Sequence, residues 1–353
     1  MSKIIVRAAQ AGSAVFQDLI WRRVKVHKSL DEICHTLELE LPYSERDKIH
    51  KHDKIRVCCF NPNIKDHDSL RFVTTVLVDE VSSVADTKQK TLMVLGRSPA
   101  RDIIDSAWSG GPLIKMKLLE ITQYIANLKG DYPGPRFGID VALKPSDGPD
   151  ETKPVTSFSW ENESPWTKLI TEAATQGYIF TSNEAGGLYF WRVAGAARGE
   201  GFRLTEGKNI RSIQATENGA QQYHKYVVCA AGHTPAEVTD GTCKNERVLT
   251  INLTDLIVAP EAMSRRALSE MRRRKERRVS VSVSGWGLDD EQIKRLGANT
   301  AGKEVFWNPN FLIPVTIPSL DLDVSLLISE VDYEADAASV TAAVTLVNKE
   351  AYE

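Results

Sequence analysis

No stretch of the chain approaches the roughly eighteen consecutive apolar residues that a membrane helix needs. The amino terminus, Met1-Ser2-Lys3-Ile4-Ile5-Val6-Arg7, is too short and too interrupted for a secretory signal. The sequence therefore predicts a protein that folds in a cytoplasm and does not insert into a membrane. Cysteine is scarce: Cys34, Cys58, Cys59, Cys229 and Cys243 are odd in number, and a strand would point the adjacent pair to opposite faces. A disulfide scaffold is excluded on that count, and reduced packing residues are expected. Neither these cysteines nor the seven histidines show C-x2-C or H-E-x-x-H spacing, so no metal or other cofactor is expected. An excess of one charge is also missing, with 44 basic against 47 acidic side chains and a net charge of -3. Affinity for a duplex rests on cationic contacts to phosphate, so any nucleic-acid role has to be local.

What the chain does contain is ordinary globular material. Its 353 residues are 42% hydrophobic and 26% charged, enough for two or three domains at about 150 residues each. The first hundred residues read as short strands. Val24 and Val26 alternate with Arg23, Lys25 and His27; Leu37, Leu39 and Leu41 alternate with Glu38 and Glu40; Ile55, Val57 and Cys59 alternate with Lys54, Arg56 and Cys58. Apolar runs over 71–81 and 91–95 add more, too close together for helical crossovers, which implies an antiparallel sheet or small barrel. Ser29-Leu30-Asp31-Glu32 has capping-box spacing, and Ser98-Pro99 reads as an N-cap followed by proline; both predict short helical connectors.

A helix is expected from Pro112 to about Asn127. Gly130, Pro133, Gly134, Pro135, Pro145, Gly148, Pro149 and Pro154 then break regular structure and mark a domain junction. Ser164 as N-cap, Pro165 at N1, apolar residues Trp166, Leu169, Ile170, Ala173 and Ala174 at helical spacing, and Gly177 as terminator define an amphipathic helix. An aromatic hairpin follows, 178–180 and 188–191 around a turn at 183–187. Strands near 210–215, 223–228 and 248–253, a helix from Pro260 to about Arg278, and strands at 279–284, 326–333 and 340–347 complete the chain. The order is β, then α+β, then β, as two similar β units around a helical module would give; no short-period repeat is visible.

The motifs that carry chemistry fail one by one. Gly201 to Asn209 resembles a phosphate loop, but has five residues between the glycines and places Asn209 where Ser or Thr would hold magnesium; a turn at Glu206-Gly207 is the reading. Gly96-Arg97-Ser98-Pro99-Ala100 resembles a nucleophile elbow, yet proline after the serine removes an oxyanion-hole N–H. Residues 48–54, with His50 and His52, read as a solvated loop. The carboxylate pairs Asp289-Asp290 and Asp321/Asp323 read as solvated turns. No enzyme is expected.

The segment 261–278 carries eight basic against three acidic residues. Five engaged phosphates would give a log-log salt slope of about -4.5. Met263, Ala267 and Met271 form an apolar stripe, however, and the arginines crowd the final turns, where cations favour the helix dipole. A structural helix that pairs with a neighbouring acidic surface is the preferred reading, and nucleic-acid contact the alternative.

Taken in order, these elements resemble the baseplate hub proteins of contractile-tailed phages, the Mu-like tail hubs and the late control gene D group. The resemblance rests on Trp21, Val24, Val26, Ser29 and Leu30; on 76–81, 95–98 and 102–105; on Phe137, Gly138, Ile139, Val141, Trp166 and Gly177; on 206–210; on Arg265, Arg266, Glu270 and Arg273; and on Gly285, Trp286, 307–310 and 326–333. It implies an α+β, mainly β fold with two β-barrel-like tube domains and an inserted α+β module. Residues 1–110 would form the first tube domain and 111–205 the α+β domain with its helix and hairpin. Residues 206–230 with 279–353 would form the second, discontinuous tube domain, and 231–278 the remainder of the α+β region with the basic helix. It further implies a homotrimer in the virion tail baseplate, assembled in the host bacterial cytoplasm, with the tail spike and tail tube or adjacent baseplate proteins as partners. DNA would pass only in transit through the lumen. The candidate interface residues are Arg265, Arg266, Arg272, Arg273, Arg274 and Trp307. A cell-wall (peptidoglycan) binding or degrading tail-tip protein is the alternative, suggested by the aromatic hairpin.

Overall fold

The computed structural model describes residues 3–60, 70–85, 90–127, 137–143, 152–193, 201–253, 260–289, 292–293 and 305–352. The breaker residues from Gly130 to Pro135 and from Pro145 to Pro149, His67 and Asp290 lie outside the described residues. In chain order the strands and helices are β1 (Lys3–Ala9), β2 (Gln17–Leu19), β3 (Arg23–Ser29), β4 (Thr36–Pro42), β5 (Lys54–Phe60), β6 (Leu70–Ala85), β7 (Lys90–Arg97), α1 (Arg101–Asp105), β8 (Trp108–Lys117), α2 (Leu118–Ala126), β9 (Val141–Leu143), β10 (Pro154–Glu163), α3 (Trp166–Gln176), β11 (Tyr178–Ser182) and β12 (Leu188–Arg192). They continue as β13 (Leu204–Thr205), β14 (Ile210–Thr216), β15 (Lys225–Ala230), β16 (Ala236–Thr239), β17 (Val248–Leu253), α4 (Pro260–Lys275), β18 (Arg278–Ser284), β19 (Leu312–Ile317), β20 (Leu322–Asp336) and β21 (Val340–Val347).

The fold is mainly β. Thirteen strands form one sheet in the order β14-β18-β21-β20-β3-β4-β7-β6-β5-β1-β2, with β13 and β19 attached beside β20. The alternation read from sequence is what places the core. Val24, Val26, Leu37, Leu39, Leu41, Ile55 and Val57 are buried from one half, and Val279, Val281, Val283, Val331 and Tyr333 from the other, in a single apolar cluster. Its path has two ends, so among the described residues hydrogen bonding does not close the sheet into a barrel. The sheet curls nonetheless: Ile4 of β1 and Cys59 of β5 line the same cavity of about 540 Å³ as Arg211 of β14 and Ser284 of β18.

The sheet contains one five-strand pattern twice. The strands β3, β4, β5, β6 and β7 lie in the spatial order 3-4-7-6-5, and β14, β18, β19, β20 and β21 lie in the order 14-18-21-20-19, every neighbouring pair antiparallel. The match extends to irregularities. The β6–β7 register shifts between Val78 and Glu80, and the β20–β21 register between Ile328 and Glu330. Just before β5, His52 has φ 69° and its N–H donates to the Val78 carbonyl; just before β19, Asn310 has φ 65° and donates to the Ile328 carbonyl. Left-handed backbone is uncommon outside glycine, so its recurrence at one place in both units fixes the alignment. The units join within the chain through β3 and β20, from Glu330↔Ser29 to Asp336↔Arg23.

Two smaller bodies are inserted. Between β7 and β13 a β8–β10 ribbon, the β11-β12-β9 sheet and α1–α3 share a second core built on Phe158, Trp160, Trp166, Phe180 and Phe190. Between β14 and β18 the β16-β15-β17 sheet packs on α4 through Tyr226, Val228, Met263 and Ala267.

Several local expectations change. Residues 112–117 belong to β8, and the helix occupies only 118–126; Pro154 opens β10 instead of breaking structure. Tertiary pairing of Leu113 with Phe158 overrides the helical spacing there. No helix forms at 29–32, because Ser29 ends β3 and its hydroxyl accepts the Asp31 N–H at 3.0 Å. The Ser98 hydroxyl faces that of Ser182 and does not cap α1, whose N-cap is Ala100. Ser164 stands one residue before the α3 N-cap, Pro165, and its hydroxyl still accepts the Trp166 N–H at 3.3 Å. Gly177 terminates α3 in the left-handed conformation, φ 78°, as expected.

Candidate subunit and partner interfaces

The seam between the two units is built by β3 and β20 and carries an ion-pair ladder on its outer face. Arg23 Nε donates to Glu334 at 2.7 Å, and His27 Nδ1 lies 2.8 Å from Asp332 Oδ1 with Glu32 3.7 Å from the other ring nitrogen. The hydrogen bond to Asp332, reinforced by the charges of Asp332 and Glu32 and opposed by partial burial, raises the His27 pKa above its ordinary value. On the inner face lies a buried polar junction. Lys28, 1% exposed, donates through Nζ to Asn308 Oδ1 at 3.1 Å and sits 3.8 Å from Glu184. The Tyr333 hydroxyl donates to the Trp307 carbonyl. His35, fully buried, contacts the Thr74 hydroxyl at 3.0 Å, and burial together with the Lys28 charge pushes its pKa well down. Ser182 N–H and hydroxyl both donate to the Ile33 carbonyl, at 2.8 and 2.7 Å. Both sheet units and the turn of the β11–β12 hairpin therefore meet at Lys28.

The basic helix α4 lies against the opposite side of the seam. Its apolar stripe is spent on the small sheet, with Met263 and Ala267 buried. Glu270, also buried, accepts from Arg266 at 2.8 Å and Arg274 at 3.1 Å. Arg273 donates to Asp31 at 2.6 Å and stacks over the Tyr352 ring at 5.5 Å. Asp31 also takes Arg278 at 3.3 Å, and Arg278 reaches Glu330 at 2.8 Å. Lys275 pairs with Asp240 at 3.2 Å. Asp31, Glu270, Arg273, Arg274 and Arg278 border a polar cleft of about 480 Å³ that includes Thr216 of the edge strand β14. Of the candidate interface residues, Arg266, Arg273 and Arg274 are thus engaged within the chain. Arg265 is exposed, and neither it nor Arg272 makes an ion pair among the described residues. Trp307 is 2% exposed, its ring 4.7 Å from Phe202 in the main core. Asp31 is the acceptor that sequence reading missed; it stands 242 residues from Arg273, and no local pattern announces such a pairing.

The tested chemical motifs have structural occupations. Asn209 Oδ1 accepts the Thr205 N–H at 2.9 Å across the turn containing Gly207, φ 75°. Ser98 is fully buried. All five cysteines are free, and burial raises the Cys34 and Cys58 thiols to about 11, away from nucleophilic thiolate. No group of three or more metal-binding side chains occurs among the described residues, and no helix among them is long and apolar enough to cross a membrane. In the hairpin Tyr178 stacks on Phe190 at 4.6 Å, Phe180 packs on Trp166 at 4.9 Å, and Trp191 Nε1 donates to Thr181. Those rings are used internally.

No family model matches the chain. Its fold is that of phage tail proteins. The 43 kDa tail protein of prophage MuSo2 from Shewanella oneidensis superposes with a TM-score of 0.76 at 21% identity, covering 99% of both chains. A tail protein from Neisseria meningitidis MC58 superposes with a TM-score of 0.74 at 14% identity, covering 99% of this chain and 98% of the other. In sequence the chain is a relative of baseplate hub protein gp44 of Escherichia phage Mu, 25% identical over 285 residues that make up 74% of this chain and 68% of gp44. The resemblance to Mu-like hubs read from the ordered motifs and the relation found by alignment point to the same proteins.

Proposed function

We propose that the chain is the structural baseplate hub of a contractile phage tail, a homotrimer that joins the tail tube to the spike and lets DNA pass through its lumen without chemistry. The observation that carries this reading is the duplicated five-strand unit in a relative of a Mu hub protein. Two units per chain, each a β-barrel-like tube domain, give six in a three-fold ring and match a six-fold tube. The first tube domain comprises β1–β7 and the second β13, β14 and β18–β21; the bodies inserted between β7 and β13 and between β14 and β18 form the surrounding α+β parts, which moves 101–110 and 225–230 out of the tube ranges 1–110 and 206–230 expected from sequence. The site of action is the virion tail baseplate, after assembly in the host cytoplasm. The partners are other copies of the chain, the tube or adjacent baseplate proteins, and the spike. Packing of the hairpin aromatics leaves no observation in favour of the cell-wall reading. Light scattering at high protein concentration is expected to give three times 39.2 kDa, with rings by electron microscopy. A strict monomer, even when mixed with the tube and spike proteins encoded beside it, would overturn the proposal.

A further inference from the structure

We infer that successive copies of the chain join by antiparallel pairing of β14 of one copy with residues 82–85 of β6 of the next, in the register of the β3–β20 seam. This rests on the hub reading and adds the contact that builds the ring. The two five-strand units align in one register over the segments that set this pairing; a bulge between Val57 and Cys58 in the first and one between Ile210 and Ser212 in the second lie outside them. From the shared bulges Glu80 corresponds to Glu330, and from the pairings to β4 and β18, Val24 corresponds to Ile213 and His27 to Thr216. In the seam, the first strand of one unit pairs with the second half of the bent strand of the other, Asp332↔His27 through Ala335↔Val24. The same contact made once more uses the two strands that remain, β14 and the end of β6. It gives Ser82↔Thr216, Ser83↔Ala215, Val84↔Gln214 and Ala85↔Ile213.

Both strands have an open edge to make it. Among the described residues β14 pairs only with β18, and β6 pairs with β5 only as far as Leu77, leaving that edge free beyond the Val78 contacts. Burial differs as the inference requires. In the paired seam Val331, Tyr333, Ala335 and Val24 are each 0% exposed, whereas of their counterparts Val81 and Ile213 are only half-buried and Ser83 and Ala85 are exposed. Free edges are normally blunted by lysine, proline or shortness. The β2 end of the sheet is three residues long and carries Asp18. β14, Ile-Arg-Ser-Ile-Gln-Ala-Thr, and the β6 end, Val-Ser-Ser-Val-Ala, carry neither lysine nor proline. Edges of matching register that are uncharged over the residues to be paired, 82–85 and 213–216, fit a second copy of the same chain. The contact is head-to-tail and closes only as a ring.

The test is disulfide trapping in the full chain. Directly opposed residues on one face of a strand pair have Cβ atoms about 4.5–5.5 Å apart, near the span that a disulfide bridges. Val84→Cys with Gln214→Cys is made in a background carrying Cys229→Ser and Cys243→Ser, which removes the two partly accessible native thiols. Mild oxidation should yield covalent dimers and trimers that disappear on reduction, while each single variant stays monomeric on a denaturing gel. Ser83→Cys with Gln214→Cys, one residue out of register and on the opposite face, should trap at least tenfold less. Light scattering on the same samples separates the two claims. A trimer in which the Val84/Gln214 pair does not trap, or traps no better than the Ser83/Gln214 pair, overturns the inferred contact and leaves the hub reading standing. A bond formed within one chain overturns it as well, and a monomer that does not trap overturns both.

Discussion

His27 and His35 sit a few residues apart around one seam and respond to protons in opposite senses. Because Asp332 raises the folded pKa of His27 above the unfolded value of about 6.5, its ion pair contributes fully below that pH and is lost as pH rises through the folded value. The pair is partly solvated, so the contribution is under about 1 kcal/mol. His35 is held neutral by burial beside Lys28, so acid favours the unfolded chain once pH falls below about 6.5. The penalty grows as pH falls further, until the depressed folded value is reached. Urea midpoints should therefore fall between pH 7 and pH 4.5 in the wild type, fall much less in His35→Gln, and fall more steeply in His27→Gln. Equal pH profiles for the three proteins would contradict this assignment. Truncating Lys28 to Ala removes the ammonium that faces Glu184 and donates to Asn308, and should cost about 1–3 kcal/mol. Little of this was legible in the sequence. Val24 and Val26 announced a strand by alternation, but Lys28 and Ser29 were buried by contacts with residues more than 150 positions away, and the Ser29-to-Glu32 spacing read locally as a helix start.

Elements whose ends are fixed by backbone stereochemistry were legible; those fixed by partners were not. Gly177 ends α3 because φ 78° is open to glycine and strained for other residues, and Gly177→Ala should cost about 1 kcal/mol with the fold intact, measured by urea denaturation. Residues 112–117, which carry helical spacing, became a strand because β10 offered a ladder, a fact that no window around them contains. For α4 the sequence showed the basic face and the apolar stripe, and the structure supplies the acceptors: Glu270 on the helix itself, Asp240 and Asp31 outside it. Replacing Arg272, Arg273 and Arg274 with Gln should lower the thermal midpoint by about 1–2 °C, mainly through the Arg273–Asp31 pair, with Arg272→Gln alone near neutral. Duplex binding by the wild type should be weak; tight binding with a log-log salt slope near -4, lost in the triple variant, would instead make α4 a nucleic-acid contact.

The order β, α+β, β was visible along the chain, but the duplication in register was not, because the identities are sparse and lie 250 positions apart: Leu77, Glu80, Val81, Ala85 and Val94 against Leu327, Glu330, Val331, Ala335 and Val344. Elsewhere shape recurs without the residue, as where His52 corresponds to Asn310 and Ser83 to Tyr333. Which edges meet is likewise a property of the assembled sheet. The β3–β20 seam lies within one chain and is indifferent to protein concentration, whereas an identical seam between copies obeys mass action. Thermal unfolding across a hundredfold range of concentration should then show a dissociation step whose midpoint rises with concentration. Ser83→Lys places a cation on the face of β6 that pairing would bury, where Tyr333 stands in the seam, the device by which natural sheets prevent pairing. Since Ser83 is exposed in the single chain, the substitution should change monomer stability by no more than about 0.5 kcal/mol. It should nonetheless abolish both the trimer and the concentration dependence. A Ser83→Lys protein that still sediments as a trimer would show that the copies meet through some other surface, whatever the quality of the match between the two units.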